Sequence, residues 1–524
     1  MNGHADNGAF ADCSVVKPAA RGRGGVVAAQ NRKAAAVAVA VLEEGGNAFD
    51  ATIALALALG ATEPWMSGMG GIGCAVLFDA EAATCHALDF GAVAPRALDP
   101  ADYPLSGRPA GDLFPWPGVV DDRNIEGPLA IAVPGQLEGL RLLHERFASR
   151  PWRELVAPAR ALAAEGLEID WWTSLMVTAH AEELRRFATT AAVWLPRGLP
   201  PRPDPAGGTR HLPLGRLSDT YEAIAEEGPR SFYEGAVAEA LLADLRGFGA
   251  RLDAGDLRSY RAGFAEPVTC ARGGIRLWAM PGRFAGTTFA RCIALLADVP
   301  VRTGTPDAPF FEAVADALRR AYAERLGGEG PEGCTSHFCV IDRHGNMVAW
   351  TQTLLSVFGS RLLLPRTGLL LNNGIYWFDP RPGRPNGLAP GARPLSNMCP
   401  VIGESPVGRF ALGASGGRRI LPAVLQLALF LGERGLSLEE AFHHPRIDVS
   451  GADRITADPR LGEEVLSALA TRPLDRRPAR HFPLAYACPS GALATAQGER
   501  QAVAEPWQPW AGGLAEPDRP KEAP

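Results

Sequence analysis

The sequence lacks the features of several protein classes. Its 52 basic and 58 acidic residues give a net charge of −6, so there is no basic excess for binding a nucleic-acid backbone. Its nine cysteines are scattered and form no CxxC pair, which argues against a disulfide framework or a zinc ribbon. We expect reduced thiols in a cytoplasmic protein, with no nucleic-acid partner, metal or cofactor.

Long apolar segments are also absent. The longest run, 51–61, has about half the length of a membrane-spanning helix, and segment 1–25 contains no apolar core of a signal peptide. The sequence therefore predicts no membrane partner and no secretion. With 47% hydrophobic and 21% charged residues, the composition is that of a folded globular protein.

The first part of the chain contains helical and strand-like patterns in turn. Segment 1–24 is polar and glycine-rich, and we expect it to be mobile. The Ala/Val/Leu-rich segments 31–42 and 50–59 are typical of helices. Apolar runs at 74–78 and 85–90 predict two strands.

The second part of the chain has a different character. Helical patterns dominate from 134 to 325, and the breaker-rich linker GGEGPEGC then leads to Thr335. A loose tail is predicted at 510–524. In between, strands are predicted at 335–341, 347–354, 368–371 and 408–412, and a helix at 420–431.

Thr335 begins the first of these strands. A threonine at a freed N-terminus can attack through its hydroxyl while its own α-amine, with a reference pKa of about 7.7 to 8.0, acts as the base. No histidine partner is then required. However, β-branched residues also favour ordinary strands, so the pattern alone leaves a purely structural interpretation open.

Five blocks of sequence, in the correct order, resemble the γ-glutamyltranspeptidase family of N-terminal-nucleophile hydrolases. The blocks are GGNAFDATIALALALGATEPWMSGMGGIG at 45–73, CTSHFCVIDRHGNMVAWTQTLLSVFGS at 334–360, LLNN at 370–373, RPLSNMCP at 393–400 and GASGGRRI at 413–420. The segments NNGIYWFDPRPGRPN and PLSNMCP are similar to an intracellular branch with cephalosporin-acylase-like and oxamate-amidohydrolase-like members.

This resemblance implies an α+β protein with a four-layer αββα fold, in which two mainly antiparallel sheets stack on each other. It also implies that the precursor cuts itself between Cys334 and Thr335. The products would be a helix-rich subunit, 1–334, and a strand-rich subunit, 335–524, which stay together as one folded heterodimer. Whether two such heterodimers pair is left open.

The resemblance assigns Thr335 as the nucleophile and Thr353 as the threonine that hydrogen-bonds it. It also assigns Gly416 and Gly417 to the oxyanion hole, and Ser396 and Asn397 to substrate binding. Two successive glycines suit an oxyanion hole because no Cβ keeps their amides away from the developing charge.

The residues that hold a γ-glutamyl head group in the family are missing here. The family has an arginine, an asparagine, a glutamine and an aspartate where this chain has Gly91, Leu355, Gly374 and Trp377. A zwitterionic head group needs a bidentate cation and paired acceptors to replace its water. We therefore expect a γ-glutamyl group to be held poorly.

Two features suggest a rebuilt substrate pocket. Arg361 is a candidate partner for a substrate carboxylate or keto-acid oxygen, and Trp377 is a candidate wall of an apolar or planar subsite. An ion pair within the protein explains Arg361 equally well, and core packing explains Trp377.

These observations lead to one functional hypothesis and two alternatives. The hypothesis is a self-processed acyl hydrolase or transferase that acts on a small amide or an activated acyl bond such as an oxalyl group. The first alternative is a true γ-glutamyl enzyme that uses new contacts such as Arg361. The second is an uncleaved, inactive scaffold.

Overall fold

The computed structural model describes residues 15–110, 116–326, 335–450 and 454–517. Its helices are α1 (Arg32–Glu43), α2 (Ala48–Thr62), α3 (Gln136–Phe147), α4 (Trp152–Glu165), α5 (Trp171–Ala179), α6 (Ala181–Arg185), α7 (Ala188–Trp194), α8 (Leu217–Glu227), α9 (Ser231–Glu234), α10 (Ala236–Phe248), α11 (Ala254–Ser259), α12 (Gly286–Leu295), α13 (Ala308–Leu326), α14 (Ile420–Gly432), α15 (Leu438–His443) and α16 (Glu463–Leu469).

The strands in chain order are β1 (Ala20–Gly22), β2 (Val26–Ala29), β3 (Ile72–Asp79), β4 (Thr84–Phe90), β5 (Leu105–Pro109), β6 (Pro117–Val119), β7 (Leu167–Glu168), β8 (His211–Leu212), β9 (Gly263–Ala265), β10 (Val268–Arg272), β11 (Ile275–Ala279), β12 (Ser336–Ile341), β13 (Met347–Thr353), β14 (Leu363–Leu364), β15 (Leu369–Leu370), β16 (Val401–Ser405), β17 (Gly408–Ser415), β18 (Ile447–Asp448), β19 (Ile455–Ala457), β20 (Leu474–Arg476), β21 (Cys488–Thr495), β22 (Arg500–Ala504) and β23 (Gly512–Ala515).

Two seven-stranded antiparallel sheets form the centre of the fold. The first has the strand order β23-β2-β12-β13-β3-β4-β9, and the second has the order β1-β22-β21-β17-β16-β11-β10. Each sheet contains strands from both sides of Thr335. The segments before and after the predicted cleavage point are therefore interleaved in both sheets.

Side chains of β12 alternate between two cores, as expected for a strand between layers. Phe338 and Val340 join the apolar core that contains α1 to α4. Cys339 and Ile341 join a core that also contains Ala411 of the second sheet. A third core lies between the second sheet and α12 to α14. The chain thus has four layers, helix, sheet, sheet and helix, which confirms the predicted α+β architecture.

Local sequence signals account for the helices nearest the nucleophile strand. Asn31 accepts hydrogen bonds from the amides of Lys33 and Ala34 and caps α1. Asn47 and Asp50 form a reciprocal capping box at the start of α2. Every residue of α2 is buried, so this helix lies inside the helical layer rather than on its surface.

The prediction of a loose tail at 510–524 is wrong for the described residues up to 517. Strand β23 pairs with β2, with Ala515 opposite Val26. The Glu516 carboxylate accepts a hydrogen bond of 2.8 Å from the Gly25 amide and pairs with Arg343. The polar, proline-rich composition gave no sign of these partners, because they lie far away in the sequence.

The predicted mobile segment 1–24 also needs correction, for residues 15–24. Strand β1 pairs with β22 at the edge of the second sheet. The Lys17 ammonium donates hydrogen bonds of 3.2 and 2.8 Å to the carbonyl oxygens of Glu505 and Ala511. Residues 1–14 lie outside the described part of the chain.

Within the described ranges, no helix combines the length and the apolar character that crossing a bilayer requires.

Candidate active site

The predicted nucleophile lies at the start of the central hairpin. Cys334, and with it the predicted cleavage bond, falls outside the described residues. Thr335 is described and buried, with 3% of its surface exposed. In the β12–β13 register Ser336 lies opposite Gln352, and continuing that register by one residue places Thr335 opposite Thr353. The fold thus brings together two residues that are 18 positions apart.

Thr353 is fully buried at the end of β13. Its hydroxyl oxygen accepts a hydrogen bond of 2.7 Å from the Leu355 amide. Leu355 has a φ of 86°, in the left-handed region that few non-glycine residues adopt. Thr353 therefore also stabilises the sharp turn that follows the hairpin.

His337 lies on the same face of β12 as Thr335, two residues further on. Its Nδ1 is 2.9 Å from the Thr351 hydroxyl, and its ring packs so closely on Gly413 of β17 that a side chain there would collide with it. Burial lowers the pKa of His337 to about 3. This neutral imidazole packs between the two sheets and is unsuited to the role of general base at neutral pH.

The predicted oxyanion glycines follow the same strand, β17. Gly416 and Gly417 have φ values of 124° and 62°, which glycine adopts without steric cost. Within the described chain, no hydrogen bond takes up either amide N–H. The two amides precede α14, at the end of the helix where its dipole favours negative charge. The geometry therefore offers two donors to an anion.

The glycine pair is held in place from the first sheet. The Gln30 amide, just after β2, donates hydrogen bonds to the Ser415 hydroxyl and to the Cys488 carbonyl oxygen, the latter at 3.2 Å. A Cβ at Gly416 would lie 2.9 Å from the Cα of Ala487. The loop is thus packed tightly from two sides.

The predicted substrate-binding pair lies in a loop that α13 fixes. The Ser396 amide donates to the Arg283 carbonyl oxygen at 2.9 Å. Arg325, in the last turn of α13, donates to the carbonyl oxygens of Ser396 at 2.8 Å and Arg283 at 3.0 Å. Ser396 and Asn397 are both buried. No local pattern in the sequence indicates this role of Arg325.

Two of the four positions at which the sequence predicts a lost γ-glutamyl clamp, Gly374 and Gly91, are closely packed. A Cβ at Gly374 would lie 2.8 Å from the Cβ of Ala132, so a glutamine has no room there. A Cβ at Gly91 would lie 3.3 Å from the ring of Phe284. Beside Gly91, Arg393 forms a half-exposed ion pair of 3.4 Å with Asp89.

The two candidate pocket residues lie in protein contacts. Arg361 is buried and forms an ion pair of 3.2 Å with Glu126, which also pairs with Arg186. Trp377 ends a buried 3₁₀ turn, Gly374–Trp377, and packs in the core between the sheets. Both contacts match the structural interpretations that the sequence had left open.

The described structure also contains a buried carboxyl group that the sequence analysis missed. Glu63, just after α2, accepts a hydrogen bond of 3.2 Å from the hydroxyl of Ser336, the residue after Thr335. Ser67 donates to the same hydroxyl at 3.3 Å. Burial raises the pKa of Glu63 to about 8. An acidic residue directly after a mostly apolar helix was the available signal.

Comparison with known proteins connects this geometry to a family. The family model described as Gamma-glutamyltranspeptidase matches residues 34–330 and 327–481. The chain belongs to this family. The γ-glutamyltranspeptidase family comprises N-terminal-nucleophile hydrolases and acyl transferases, so the chain belongs to an enzyme family. Its match spans both the helical part and the hairpin with Thr335.

Two curated relatives illustrate the range of this γ-glutamyltranspeptidase family. The acylase ACY 1 proenzyme of Pseudomonas sp. (strain V22) is 30% identical over 88% of this chain and 89% of its own length. The glutathione hydrolase proenzyme of Bacillus subtilis (strain 168) is 28% identical over 86% of this chain and 84% of its own length. The chain is thus similar to relatives with two different named activities.

A solved structure confirms the fold. The cephalosporin acylase from Bacillus halodurans matches with a TM-score of 0.83 and 20% identity, over 99% of this chain and 100% of that one. The four layers described above are therefore those of the N-terminal-nucleophile hydrolase fold.

Proposed function

We propose that this member of the γ-glutamyltranspeptidase family is a self-processed enzyme that uses Thr335 as its nucleophile. Its substrate is a small amide or an activated acyl bond, such as that of an oxalyl group. The observation that carries the proposal is the placement of Thr335 opposite Thr353, on the sheet face that meets the strand leading to Gly416 and Gly417.

Self-processing comes first in this proposal. The Thr335 hydroxyl attacks the carbonyl carbon of Cys334, the peptide C–N bond breaks, and water hydrolyses the resulting ester. The products are 1–334 and 335–524, the second containing the remaining 190 of 524 residues. The word proenzyme in the names of both relatives supports this step. The interleaved strands explain how the fragments stay together.

The mature site then transfers an acyl group. Oγ of Thr335 bonds to the substrate carbonyl carbon while its proton moves to the α-amine of the same residue. The amides of Gly416 and Gly417 stabilise the oxyanion, and each such donor contributes about 3 kcal/mol in comparable sites. The α-ammonium protonates the leaving group, and water or an amine releases the acyl group.

The proposed substrate preference follows from the close packing at two positions of the predicted γ-glutamyl clamp, Gly374 and Gly91. Charged head groups are costly to desolvate without matched partners, and packing at Gly374 and Gly91 leaves little room for the family's side chains. Arg393, beside Gly91, is a cation suited to a short carboxylate-bearing acyl group. The described cysteines are free thiols, which supports a cytoplasmic location.

The experiment that tests this proposal compares three anilides with the same leaving group. The acyl groups are γ-glutamyl, oxalyl and acetyl, and the trapped acyl group on the 335–524 fragment is identified by mass. We expect oxalyl transfer to exceed γ-glutamyl transfer at least tenfold in kcat/KM. Efficient γ-glutamyl transfer would refute the proposed preference and favour a true γ-glutamyl enzyme.

A further inference from the structure

Glu63 is a buried carboxyl group to which the proposed reaction assigns no role. It has no exposed surface. Its Oε2 accepts the hydrogen bond from Ser336, whereas its Oε1 has no hydrogen-bond partner within the described residues. A buried carboxylate without a cation is costly. Burial therefore favours the protonated form of this group in the uncleaved chain.

Among the residues that the structure describes, the surroundings of Glu63 contain polar groups but no charged group that pairs with it. Ser336 comes from β12, Ser67 from the loop after α2, and Gln352 of β13 donates to Ser67 at 3.0 Å. Cys488 of β21 is close enough for Glu63 to influence its titration, and burial raises the pKa of that thiol, so it is neutral. Burial is also the main cause of the raised pKa of Glu63.

Self-cleavage would change this balance of charges. In the precursor the nitrogen of Thr335 belongs to a neutral peptide group. After cleavage the same nitrogen is an α-amine that gains a proton during acyl transfer, one residue from the hydroxyl that Glu63 already contacts. A cation thus arises on the residue next to Ser336, whose hydroxyl contacts a buried carboxyl group with one oxygen unpaired within the described chain.

We propose that Glu63 is the positioning residue for the α-amine of Thr335, an inference that rests on the proposed function. After cleavage, Oε1 accepts a hydrogen bond from the amine and, as a carboxylate, stabilises the ammonium form. When Oγ attacks the substrate, the hydroxyl proton moves to the amine, and the Glu63 carboxylate stabilises the ammonium that results. When the leaving group takes that proton and its bond to the acyl carbon breaks, the amine is neutral again.

The consequence is measurable as a shift in pH dependence. The amine must be neutral to accept the proton, so activity rises with pH through the pKa of the amine. A carboxylate within about 4 to 6 Å raises that pKa by about one unit or more. Removing the carboxylate therefore moves the rise in kcat/KM to lower pH and also slows the reaction.

The test compares wild type with Glu63→Gln and Ser336→Ala, each as the full chain allowed to process. Fragments are followed on a denaturing gel, and kcat and kcat/KM for an acyl anilide are measured from pH 5 to pH 10. For Glu63→Gln we expect the rise in kcat/KM to move about one pH unit lower. We also expect kcat to fall between about tenfold and a hundredfold, less than the loss of a direct general base.

The control variant separates positioning of the amine from support of Ser336. Ser336→Ala removes the hydrogen bond to Oε2 but keeps the carboxyl group, so its profile should rise at the wild-type pH. If Ser336→Ala reproduces the shift, or if Glu63→Gln has the wild-type profile, the inference is refuted. If Glu63→Gln does not fold, Glu63→Asp, which withdraws the carboxyl group by one methylene, must show the same direction of shift.

The two proposals fail in different ways. A wild-type chain that stays uncleaved and forms no acyl adduct refutes the proposed function. An active, cleaved wild type with an unshifted Glu63→Gln variant refutes only the role of Glu63.

Discussion

Replacing Gly416 by alanine is the sharpest single test of the proposed oxyanion hole. The residue has a φ of 124° and a ψ of 27°, which alanine adopts only with strain. A Cβ at this position would lie 2.9 Å from the Cα of Ala487, closer than main-chain packing allows. The loop must therefore move, and the amide N–H moves with it.

The expected magnitude follows from the loss of one hydrogen-bond donor. Such a loss costs about 2.7 to 4 kcal/mol in the barrier, or about 10² to 10³ in kcat. The backbone strain costs about 1 to 3 kcal/mol in the free energy of unfolding. We therefore expect a folded but slow enzyme.

The control is Gly435→Ala, at the far end of α14. Gly435 has a φ of 71° and nothing within 4 Å of its Cβ position, so it carries the backbone strain without the collision. A helix of this length separates the two glycines by about 20 Å. The assay measures kcat for acyl release and the melting temperature of both variants. If Gly416→Ala stays folded with a kcat within about threefold of wild type, Gly416 is not a donor to the oxyanion.

Three further predictions concern residues outside the oxyanion hole. Arg361→Ala should lower the free energy of unfolding by about 3 kcal/mol, because it leaves the buried Glu126 with only one arginine. If urea unfolding instead shows unchanged stability while turnover is lost, Arg361 binds the substrate. The pKa of His337 is about 3 in the folded chain, below its ordinary value of 6.5. His337 therefore binds a proton more readily in the unfolded chain. The stabilisation from neutral His337 is therefore complete above about pH 6.5, and the free energy of unfolding should fall by about 3 kcal/mol between about pH 6.5 and pH 4. The fall should be smaller in His337→Asn, and urea unfolding at each pH measures it. Lys17→Met should speed proteolysis of the segment after 505, because the ammonium no longer holds its carbonyl oxygens; an unchanged digestion rate would contradict this.

The parts of the fold that were predictable from sequence have local signals. Helices α1 and α2 follow apolar runs with caps, and the β12–β13 hairpin follows two apolar segments around the turn DRHGN. The predicted boundaries of these elements differ from those of the structure by at most three residues. Because these signals lie within a few residues of each other, they do not depend on the rest of the fold.

The features that were missed depend on distant partners. Strand β23 is glycine-rich and short, and only its pairing with β2 makes it a strand. The ion pair between Arg361 and Glu126 joins residues 235 positions apart, so the sequence could not decide between a substrate contact and a protein contact. Glu63 contacts Ser336, which lies 273 positions further along the chain, so the sequence does not reveal this contact.

Self-cleavage of the bond before Thr335 is the step on which the proposed function depends, and the mass of freshly purified protein measures it. We expect two masses, for 1–334 and 335–524, with Thr335 as the N-terminal residue of the second fragment. We also expect Thr335→Ala to stay as one chain of 524 residues. A wild-type chain that persists at full length, or a cut at any other bond, would refute self-cleavage before Thr335.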